Sequence, residues 1–578
     1  MLFSFFTHLI RRRKAPRDTP LDPDEIFLDA RNLPRFNPHQ FEGRLERPVS
    51  RRTIAVTGLV FLLFSLIFLG KSFALQLYQG DAYKKRSEEN RLRHTLLFGE
   101  RGIIYDRTGE PLAWNEPSDS VGVVAKRRYA KRRGLSHVLG FLNYPKKDRF
   151  GFYYQVDFEG MAGIEKYFNE YVAPSHGLKI VETDALGAPK SESVFRRARD
   201  GTDRSATVDA RVSQALYDSI AFVADERGFT GGAGVVIDVL NGEILALVSV
   251  PEYDSQALTD GEDRARIARF VSDTRTPFLN RATDGLYSPG SIVKPFVAFA
   301  ALEERIIAPE TELYSSGLLS VPNPYDQKSP TLFRDWRAHG WVSMRRALAL
   351  SSDIYFYIIG GGFEKQRGLG IDALARYFHL FGFGELPSNN PFFGAAGVVP
   401  SPRWKQEHFQ GEEWRLGNTY HTAIGQYGFQ VTPLQAARAV AALANGGKLL
   451  EPRIVREPDE PPVYSLVQGS DASFSVVREG MREAVRSGTA VGINLPAVSV
   501  AAKTGTAEVG RTKRLVNSWV IGFFPYEAPR FAFAIVLERG PSGNTVGALF
   551  AARRLLEWMS VYTPLYLAPK VDPFGVIQ

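Results

Sequence analysis

The chain has 578 residues, of which 44% are hydrophobic and 23% are charged, a composition typical of globular proteins and a length that predicts two or more domains. The formal net charge of +8 is compatible with nucleic acid, an anionic membrane surface or simple solubility and does not discriminate between them; we predict no nucleic-acid partner. Cysteine is absent, which excludes disulfide bonds and thiolate zinc sites and is compatible with an oxidising compartment.

The first strong element is an apolar stretch, TIAVTGLVFLLFSLIFLG, from Thr53 to Gly70. Its 18 uncharged residues nearly cross a bilayer core of about 30 Å as a helix. Polar flanks on both sides make a buried core helix the weaker alternative. A cleaved signal peptide is disfavoured because about 50 residues precede the stretch and no small-residue cleavage pattern follows it. We predict one transmembrane anchor over residues 53–73.

The charges around this anchor predict its orientation. Residues 1–52 carry 11 Lys and Arg, which favours a cytoplasmic N-terminus under the positive-inside rule. The protein is then a single-pass inner-membrane protein whose remaining residues lie in the periplasm. The proline-rich composition of residues 1–52 predicts a largely disordered cytoplasmic tail.

Beyond the anchor, residues 74–230 show no catalytic constellation. The basic run KRRYAKRR at 126–133 is most simply a solvated surface, and the alternative is a contact with an anionic polymer or a partner. From residue 232 the pattern changes to GAGVVIDVLNGEILALVSV, which predicts two strands joined at Asn241-Gly242. A second strand pair is predicted at 517–525 and 530–539. Helical patterns lie between the pairs, so a sheet built from both ends of this region with helices from its middle is expected.

A candidate nucleophile lies in the segment LYSPGSIVKP. Lys294 follows Ser291 by three residues and Ser288 by six, and only the three-residue spacing places both side chains on one helix face. Ser291 is therefore the candidate, in a first helical turn that favours developing negative charge. A Ser-x-x-Lys pattern is expected about twice by chance in a chain of this length, so it is weak alone.

Two further segments strengthen the case. Ser351-Ser352-Asp353 is a short polar element in apolar surroundings, and Lys503-Thr504-Gly505-Thr506 follows an apolar run. A Lys-Thr-Gly tripeptide is expected only about 0.1 times by chance. On an edge strand its glycine allows close backbone approach, and an exposed lysine with neighbouring hydroxyls can hold a substrate carboxylate.

In this order the three segments resemble the active-site set of penicillin-recognising serine acyltransferases. The resemblance extends over residues 50–560 and includes GERGIIYDRTGEPLA, GMAGIEKYFN, AIGQYGFQVTPLQAARA and SGTAVGINLPAVSVAAKTGTAE. These segments are similar to class B penicillin-binding proteins, above all the elongation type. No segment resembles the glycosyltransferase domain of the class A members.

The resemblance implies an α+β fold. A penicillin-binding/β-lactamase-like transpeptidase domain, a sheet with helices on both sides, is expected over residues 231–562. It stands on a small mixed pedestal domain of the dimerisation type over residues 74–230, and a C-terminal tail follows over 563–578. Only about 20 residues separate GEPLA from LSHVLG, where relatives place a head lobe, so the pedestal is expected to be reduced.

The resemblance also implies roles for the motif residues. Ser291 is the expected acylated nucleophile and Lys294 its base, Ser351 relays a proton to the leaving group, and Asp353 orients the lysines. Asp353 stands where many relatives have Asn, which leaves open which group is neutral before acylation. The terminal carboxylate of the peptide substrate that donates the acyl group is expected to bind Lys503 and Thr504, beside Gly505. The backbone N–H groups of Ser291 and Thr506 are expected to form the oxyanion hole.

No metal or cofactor is expected. Some relatives bind zinc through Asp, His and Cys between the first two motifs. This chain has Asp335 and His339 but no cysteine, and a lone His beside an Asp most simply makes a local hydrogen bond.

The favoured function is peptidoglycan D,D-transpeptidation during cell elongation, with stem peptides as substrates and β-lactams as inhibitors. The alternatives are a division-type transpeptidase, a D,D-carboxypeptidase or β-lactamase, and a membrane-anchored β-lactam sensor. One spanning helix with a long pedestal favours a synthase over a sensor. The resemblance further implies a partner in the membrane, the polytopic glycosyltransferase of the rod-shape machinery (RodA type).

Overall fold

The computed structural model describes residues 49–116, 124–183, 189–323, 326–457, 459–510, 514–544 and 547–568. The described chain forms two compact units, one ending at Arg91 and one beginning at Leu92. The tail predicted over residues 1–52 lies outside the described residues up to position 48, as does the C-terminal tail from position 569.

The first unit is helical. An α-helix over Arg51–Phe73 continues through a π-helical turn at Ala74–Tyr78 and is followed by a helix over Gly80–Arg91. Ser50 caps the first helix, because its hydroxyl accepts a hydrogen bond from the N–H of Thr53 at 3.1 Å. The helix is long and apolar enough to cross a membrane, and none of its apolar stretch is buried within the protein. This agrees with the predicted anchor.

The pedestal opens the second unit with two small sheets. A three-stranded antiparallel sheet contains Leu92–Leu97, Gly177–Thr183 and Pro189–Arg196. A four-stranded sheet contains Arg204–Ser205, Ile104–Tyr105, Pro111–Glu116 and Lys126–Tyr129. Two short pairs and three short helices complete it: Leu142–Asn143 with Glu159–Gly160, Lys146–Lys147 with Tyr153–Gln155, Ser136–Leu139, Gly163–Tyr167 and Asn169–Val172.

A buried charge cluster holds the pedestal together. The carboxylate of Glu165 lies between two guanidinium groups, 2.5 Å from Nε of Arg101 and 2.8 Å from Nε of Arg127. The three side chains are at most 1% exposed. Burial opposes ionisation of Glu165, but the two arginines outweigh it and lower the pKa of the carboxyl.

This cluster corrects the interpretation of the basic run at 126–133 as a solvated surface. Arg127 is buried, and three neighbours in the run pair with acidic side chains of other segments. These pairs are Arg128 with Glu116, Arg132 with Glu110 and Arg133 with Asp218. Sequence spacing could not reveal this, because Glu165 lies 38 residues from Arg127.

The C-terminal domain is built on a five-stranded antiparallel sheet. In chain order its strands are β1 (Gly231–Asp238), β2 (Ile244–Val250), β3 (Ala501–Val509), β4 (Leu515–Phe524) and β5 (Phe531–Pro541). Their order across the sheet is β2-β1-β5-β4-β3. Both predicted strand pairs are confirmed, as is the assembly of the sheet from the two ends of the domain. β3, with the Lys-Thr-Gly motif, is an edge strand as predicted.

Helices cover both faces of this sheet, as expected. Successive residues of β1 alternate between two cores, with Val235 and Ile237 in one and Val236 in the other, because side chains alternate across a strand. Helices Ala210–Arg227 and Gly547–Tyr562 pack on one face, and helix Pro433–Ala444 packs on the other.

The other described elements of this domain are helices, 3-10 turns and short strand pairs. The helices are Ser255–Asp260, Arg264–Ser272, Lys294–Glu303, Met344–Leu350, Asp353–Gly361, Gly370–Leu380, Pro402–His408, Leu416–Ala423 and Asp471–Ser487. The 3-10 turns are Gly290–Val293, Pro391–Phe393, Val491–Ile493 and Pro564–Tyr566. The short strand pairs are Leu313–Ser315 with Gly340–Val342, Leu318–Asn323 with Asp326–Arg334, and Lys448–Leu450 with Tyr464–Leu466.

Substitution of Glu165 tests the buried cluster. Glu165→Ala leaves two buried guanidinium groups without their counter-charge, and we expect the free energy of unfolding to fall by about 3–5 kcal/mol. Glu116→Ala is the control, since Glu116 also pairs with an arginine but is 54% exposed, and it should cost less than about 1 kcal/mol. Denaturant titration in detergent measures both. Equal losses for the two variants would contradict the role of burial.

Candidate active site

The Ser291 turn is fixed from two sides. Gly290 has a left-handed backbone (φ +57°), and its N–H donates to the carbonyl of Gly425 at 2.9 Å. A 3-10 turn over Gly290–Val293 then enters the helix Lys294–Glu303, so Ser291 lies in the first turn, as predicted. Ser291 lines a cleft, whereas the carbonyl of Ser288 accepts a hydrogen bond from the buried indole of Trp519 at 3.0 Å.

Ser351 lies at a strained break between two helices. Helix Met344–Leu350 ends at Ser351 with φ 57° and ψ 38°, a left-handed conformation that costs a non-glycine residue about 1–2 kcal/mol. The next helix, Asp353–Gly361, begins two residues later. The sharp reversal aims the Ser351 carbonyl at Lys294, whose Nζ donates to it at 2.8 Å.

The three motifs meet at one hydroxyl. Oγ of Ser351 lies 2.8 Å from Nζ of Lys503 and 3.3 Å from Nζ of Lys294. Lys294 also forms an ion pair with Asp353, with 2.5 Å between Nζ and Oδ1. The structure therefore brings together Lys294, Ser351, Asp353 and Lys503. Lys294 directly follows the turn that contains Ser291.

Both lysine side chains are completely buried. Burial lowers the pKa of Lys503 well below its ordinary value, and the neighbouring charge of Lys294 lowers it further, against the opposing effect of Asp353. The expectation of an exposed Lys503 is therefore wrong. Strand β3 turns this side chain inward, where its Nζ also donates to the carbonyl of Thr504 at 2.8 Å.

Asp335 supports the second motif from behind. One of its carboxylate oxygens accepts three hydrogen bonds, from the hydroxyls of Ser352 (2.8 Å) and Ser315 (3.1 Å) and from the N–H of Ile354 (3.1 Å). The last contact satisfies a free N–H at the start of helix Asp353–Gly361. Burial opposes ionisation of Asp335, but the N–H of Ile354 and the charge of Lys294 outweigh it, so the pKa of this carboxyl is lowered.

His339 contacts the same carboxylate. Its Nε2 lies 3.4 Å from Oδ1 of Asp335, and both side chains are completely buried. Burial lowers the pKa of His339, against the effect of Asp335. Within the described ranges no three His, Cys, Asp or Glu residues form a group that could hold a metal. Asp335 thus lies between His339 and the Ser352 segment, whereas the sequence predicted only a local contact between Asp335 and His339.

Gly505 lets strand β3 approach the nucleophile turn. A Cβ at this position would lie 2.9 Å from Cγ2 of Ile292 and 3.0 Å from the carbonyl oxygen of Pro289, closer than ordinary contacts. The predicted close approach is thus present. On the neighbouring residue, the hydroxyl of Thr504 lies 2.7 Å from that of Thr489.

A cleft of about 970 Å³ opens in front of these groups. Of the predicted site residues, Ser291, Ser351, Asp353, Thr504, Gly505 and Thr506 line it. Sequence analysis missed several other lining residues: Arg334, Trp336, Tyr357, His421, Gln426, Tyr427, Thr489 and Glu508. Most lie in segments that carried the resemblance or the Asp335 pair, but no spacing rule connects them to Ser291.

The lowered pKa of Lys503 predicts a pH-dependent stability. Between that pKa and the ordinary lysine value of 10.5, the unfolded chain binds a proton that the folded chain lacks, so the free energy of unfolding rises with pH. Lys503→Met should reduce this slope by up to about 1.4 kcal/mol per pH unit. Denaturant titrations from about pH 6 to about pH 9 measure it, with Lys448→Met, the loss of an exposed lysine, as control. An unchanged slope in Lys503→Met would show that Lys503 is protonated throughout.

Two domains of this chain match known families. Residues 232–555 match the penicillin-binding protein transpeptidase domain, and residues 120–204 match the penicillin-binding protein dimerisation domain. Peptidoglycan D,D-transpeptidase MrdA of Haemophilus influenzae is 26% identical over 91% of this chain and 94% of its own length.

Solved structures agree. The PBP2 chain of the Helicobacter pylori complex between PBP2 and MreC superposes with a TM-score of 0.67, at 26% identity over 82% of this chain and 99% of that chain. A chain of a peptidoglycan synthase complex that coordinates polymerization and crosslinking gives 0.68, at 25% identity over 87% and 97%. The chain therefore belongs to the penicillin-binding protein transpeptidase family, and its resemblance to the elongation-type class B members is confirmed.

Proposed function

We propose that this protein is a peptidoglycan D,D-transpeptidase of the elongation type. The observation that carries the proposal is the meeting of Lys294 and Lys503 at the hydroxyl of Ser351, beside Ser291 in one cleft. A buried amine of lowered pKa near a cleft serine is the arrangement that serine acyl transfer needs. The MrdA relative, matched along nearly its whole length, supports the substrate assignment.

The reaction proceeds in two acyl transfers. Oγ of Ser291 attacks the carbonyl carbon of the penultimate D-alanine of a stem peptide, the C–N bond to the terminal D-alanine breaks, and D-alanine leaves with a proton. An amine of a neighbouring strand then attacks the ester, forms the crosslinking amide and returns Ser291 to its hydroxyl form. β-Lactams acylate the same serine, and neither step needs a cofactor.

The contacts of Ser351 with the two lysines support a proposed path for the proton. Lys294 takes the proton of Ser291 while it passes one of its own to Oγ of Ser351, 3.3 Å away, and Ser351 gives its proton to Lys503, 2.8 Å away. Lys503 is the acceptor at the end of the path because burial favours its neutral form. The reversed path protonates the leaving amine. Asp353 holds Lys294 in place through their ion pair.

The edge strand β3 supplies the contacts to the stem peptide that donates the acyl group. Thr504 and Thr506 line the cleft and present hydroxyls to the terminal carboxylate, and the charge that Lys503 gains in the first step strengthens this attraction from behind. Backbone N–H groups of Ser291 and Thr506 stabilise the oxyanion. Gly505 keeps the strand close enough to the Ser291 turn for both N–H groups to reach one oxygen.

The protein acts at the inner membrane with its catalytic domain in the periplasm. The apolar helix Arg51–Phe73 anchors it, and the positive charges of residues 1–52 favour a cytoplasmic N-terminus. Its partner there is a polytopic glycosyltransferase of the RodA type, which makes the strand that the transpeptidase crosslinks. The similar chain in a complex of polymerization and crosslinking supports such a pairing.

Penicillin labelling tests the nucleophile. Ser291→Ala should abolish the covalent adduct with a labelled penicillin, whereas Ser288→Ala, three residues earlier, should keep it, because Ser288 is not among the described residues that line the cleft. Intact-mass and peptide mapping locate the adduct. Retained labelling in Ser291→Ala would overturn the assignment.

A glycine substitution tests the approach of β3. Gly505→Ala places a Cβ 2.9 Å from Ile292 and forces the strand away from the Ser291 turn. We expect acylation to slow by about 10²-fold, the typical loss for a displacement of about 1 Å at a reacting centre. Gly492→Ala is the matched control, since its Cβ meets Leu549 at 3.1 Å outside the cleft. Equal rates for the two variants would refute the steric argument.

Exchange of the anchor tests the partner surface. Replacement of residues 53–70 by an unrelated spanning helix should leave penicillin labelling intact and weaken co-purification with the RodA-type glycosyltransferase. The expected docking region is the anchor with the base of the pedestal, about residues 50–125. Unchanged co-purification, with loss on mutation of the catalytic domain instead, would place the contact elsewhere.

A further inference from the structure

A β-hairpin of the pedestal holds aromatic side chains in solvent. Its strands are Lys146–Lys147 and Tyr153–Gln155. Phe150, Phe152 and Tyr154 are 69%, 72% and 69% exposed, three large apolar groups within five residues. Burying one such group is worth about 1.5–3 kcal/mol, so a cluster of them at a hairpin tip indicates an unfilled contact.

The tip is pre-organised. The carboxylate of Asp148 accepts hydrogen bonds from the N–H groups of Phe150 (2.8 Å) and Phe152 (3.0 Å). The N–H of Asp148 donates to the carbonyl of Phe152 at 2.8 Å. Gly151 supplies the left-handed residue of the turn (φ +88°). These bonds hold both phenylalanine backbones in place, so their exposure belongs to a defined turn.

The hairpin is also fixed at its base. The ring of Tyr153 packs edge-on against Phe98, with 5.0 Å between centroids, and Phe98 packs in the same way against His176 at 4.9 Å. Nζ of Lys147 lies 4.6 Å from the centroid of the Tyr153 ring. The inner face of the hairpin thus packs on the pedestal, whereas the outer rings remain exposed. The guanidinium of Arg149, within the tip itself, lies 4.7 Å from the centroid of the Phe150 ring.

The tip is cationic as well as apolar. Lys146, Lys147 and Arg149 are exposed, and the one acidic residue among them, Asp148, is engaged with backbone N–H groups. Phenylalanine carries no polar group, so its ring is best buried in hydrocarbon. Aromatic rings flanked by Lys and Arg are the composition of segments that insert at an anionic bilayer surface.

We propose that this hairpin tip, residues 146–154, binds the anionic lipid surface of the bilayer that holds the anchor. Charge complementarity supports this occupant, because Lys146, Lys147 and Arg149 place three exposed cations beside the aromatic rings, and an anionic bilayer surface attracts Lys and Arg. The contact gives the pedestal a second point of attachment and restricts its motion about the anchor.

The absence of cysteine from the chain allows a direct test in the full-length protein. Tyr154→Cys carries a nitrobenzoxadiazole probe in protein reconstituted into vesicles with phosphatidylglycerol or into pure phosphatidylcholine vesicles. A doxyl-labelled lipid and aqueous iodide report contact with lipid and with water. The control probe is on Arg403→Cys, a C-terminal-domain position that is 89% exposed. Penicillin labelling of each variant checks folding and tests the proposed function separately.

The proposal predicts that the doxyl lipid quenches the Tyr154 probe more than the Arg403 probe, and more with phosphatidylglycerol than without. Lys146→Gln/Lys147→Gln/Arg149→Gln should lower the equilibrium constant for lipid contact by about five-fold per charge removed. Phe150→Ser/Phe152→Ser should lower this equilibrium constant at every salt concentration, because it removes apolar rather than charged groups. Equal quenching of the two probes in both lipids would overturn the proposal, and protection that requires added peptidoglycan or a protein partner would assign the tip to that occupant instead.

Discussion

The active site depends on two buried lysines that contact one hydroxyl. Because Nζ of Lys294 and Nζ of Lys503 both lie within 3.3 Å of Oγ of Ser351, they are at most about 6 Å apart, and two unit charges at that distance repel by about 3 kcal/mol at an effective dielectric constant of about 20. The site relieves this repulsion by pairing Lys294 with Asp353 and by lowering the pKa of Lys503. The same relief provides a neutral amine for proton transfer.

The surrounding fold serves this arrangement. The lysines and Ser351 come from three separate elements: the helix that follows the nucleophile turn, the break between two helices, and the edge strand β3. Ser351 adopts a left-handed backbone conformation, and Asp335 accepts a hydrogen bond from the helix that follows Ser351. Gly505 allows β3 to approach the Ser291 turn closely. The strained backbone of Ser351 and the glycine at position 505 thus both lie where the three elements meet.

The sequence predicted much of this domain because its signals are local. Asn241-Gly242 marks a hairpin, the three-residue spacing selects Ser291 over Ser288, and glycine in the Lys-Thr-Gly motif suits an edge strand. Contacts between distant residues could not be predicted. Burial of Lys503 depends on Ser351, which is 152 residues away, and the basic run at 126–133 contains a buried arginine only because Glu165 folds against it.

The pH dependence of Ser291 acylation tests the central claim most directly. If neutral Lys503 ends the proton path, the rate constant for acylation by a labelled penicillin should already be at its plateau well below pH 10.5, the ordinary lysine value, and should fall as the pH decreases through the lowered pKa of Lys503. A rate constant that instead keeps rising until the ordinary lysine value is reached would show that the amine is charged in the resting enzyme, and would contradict the account.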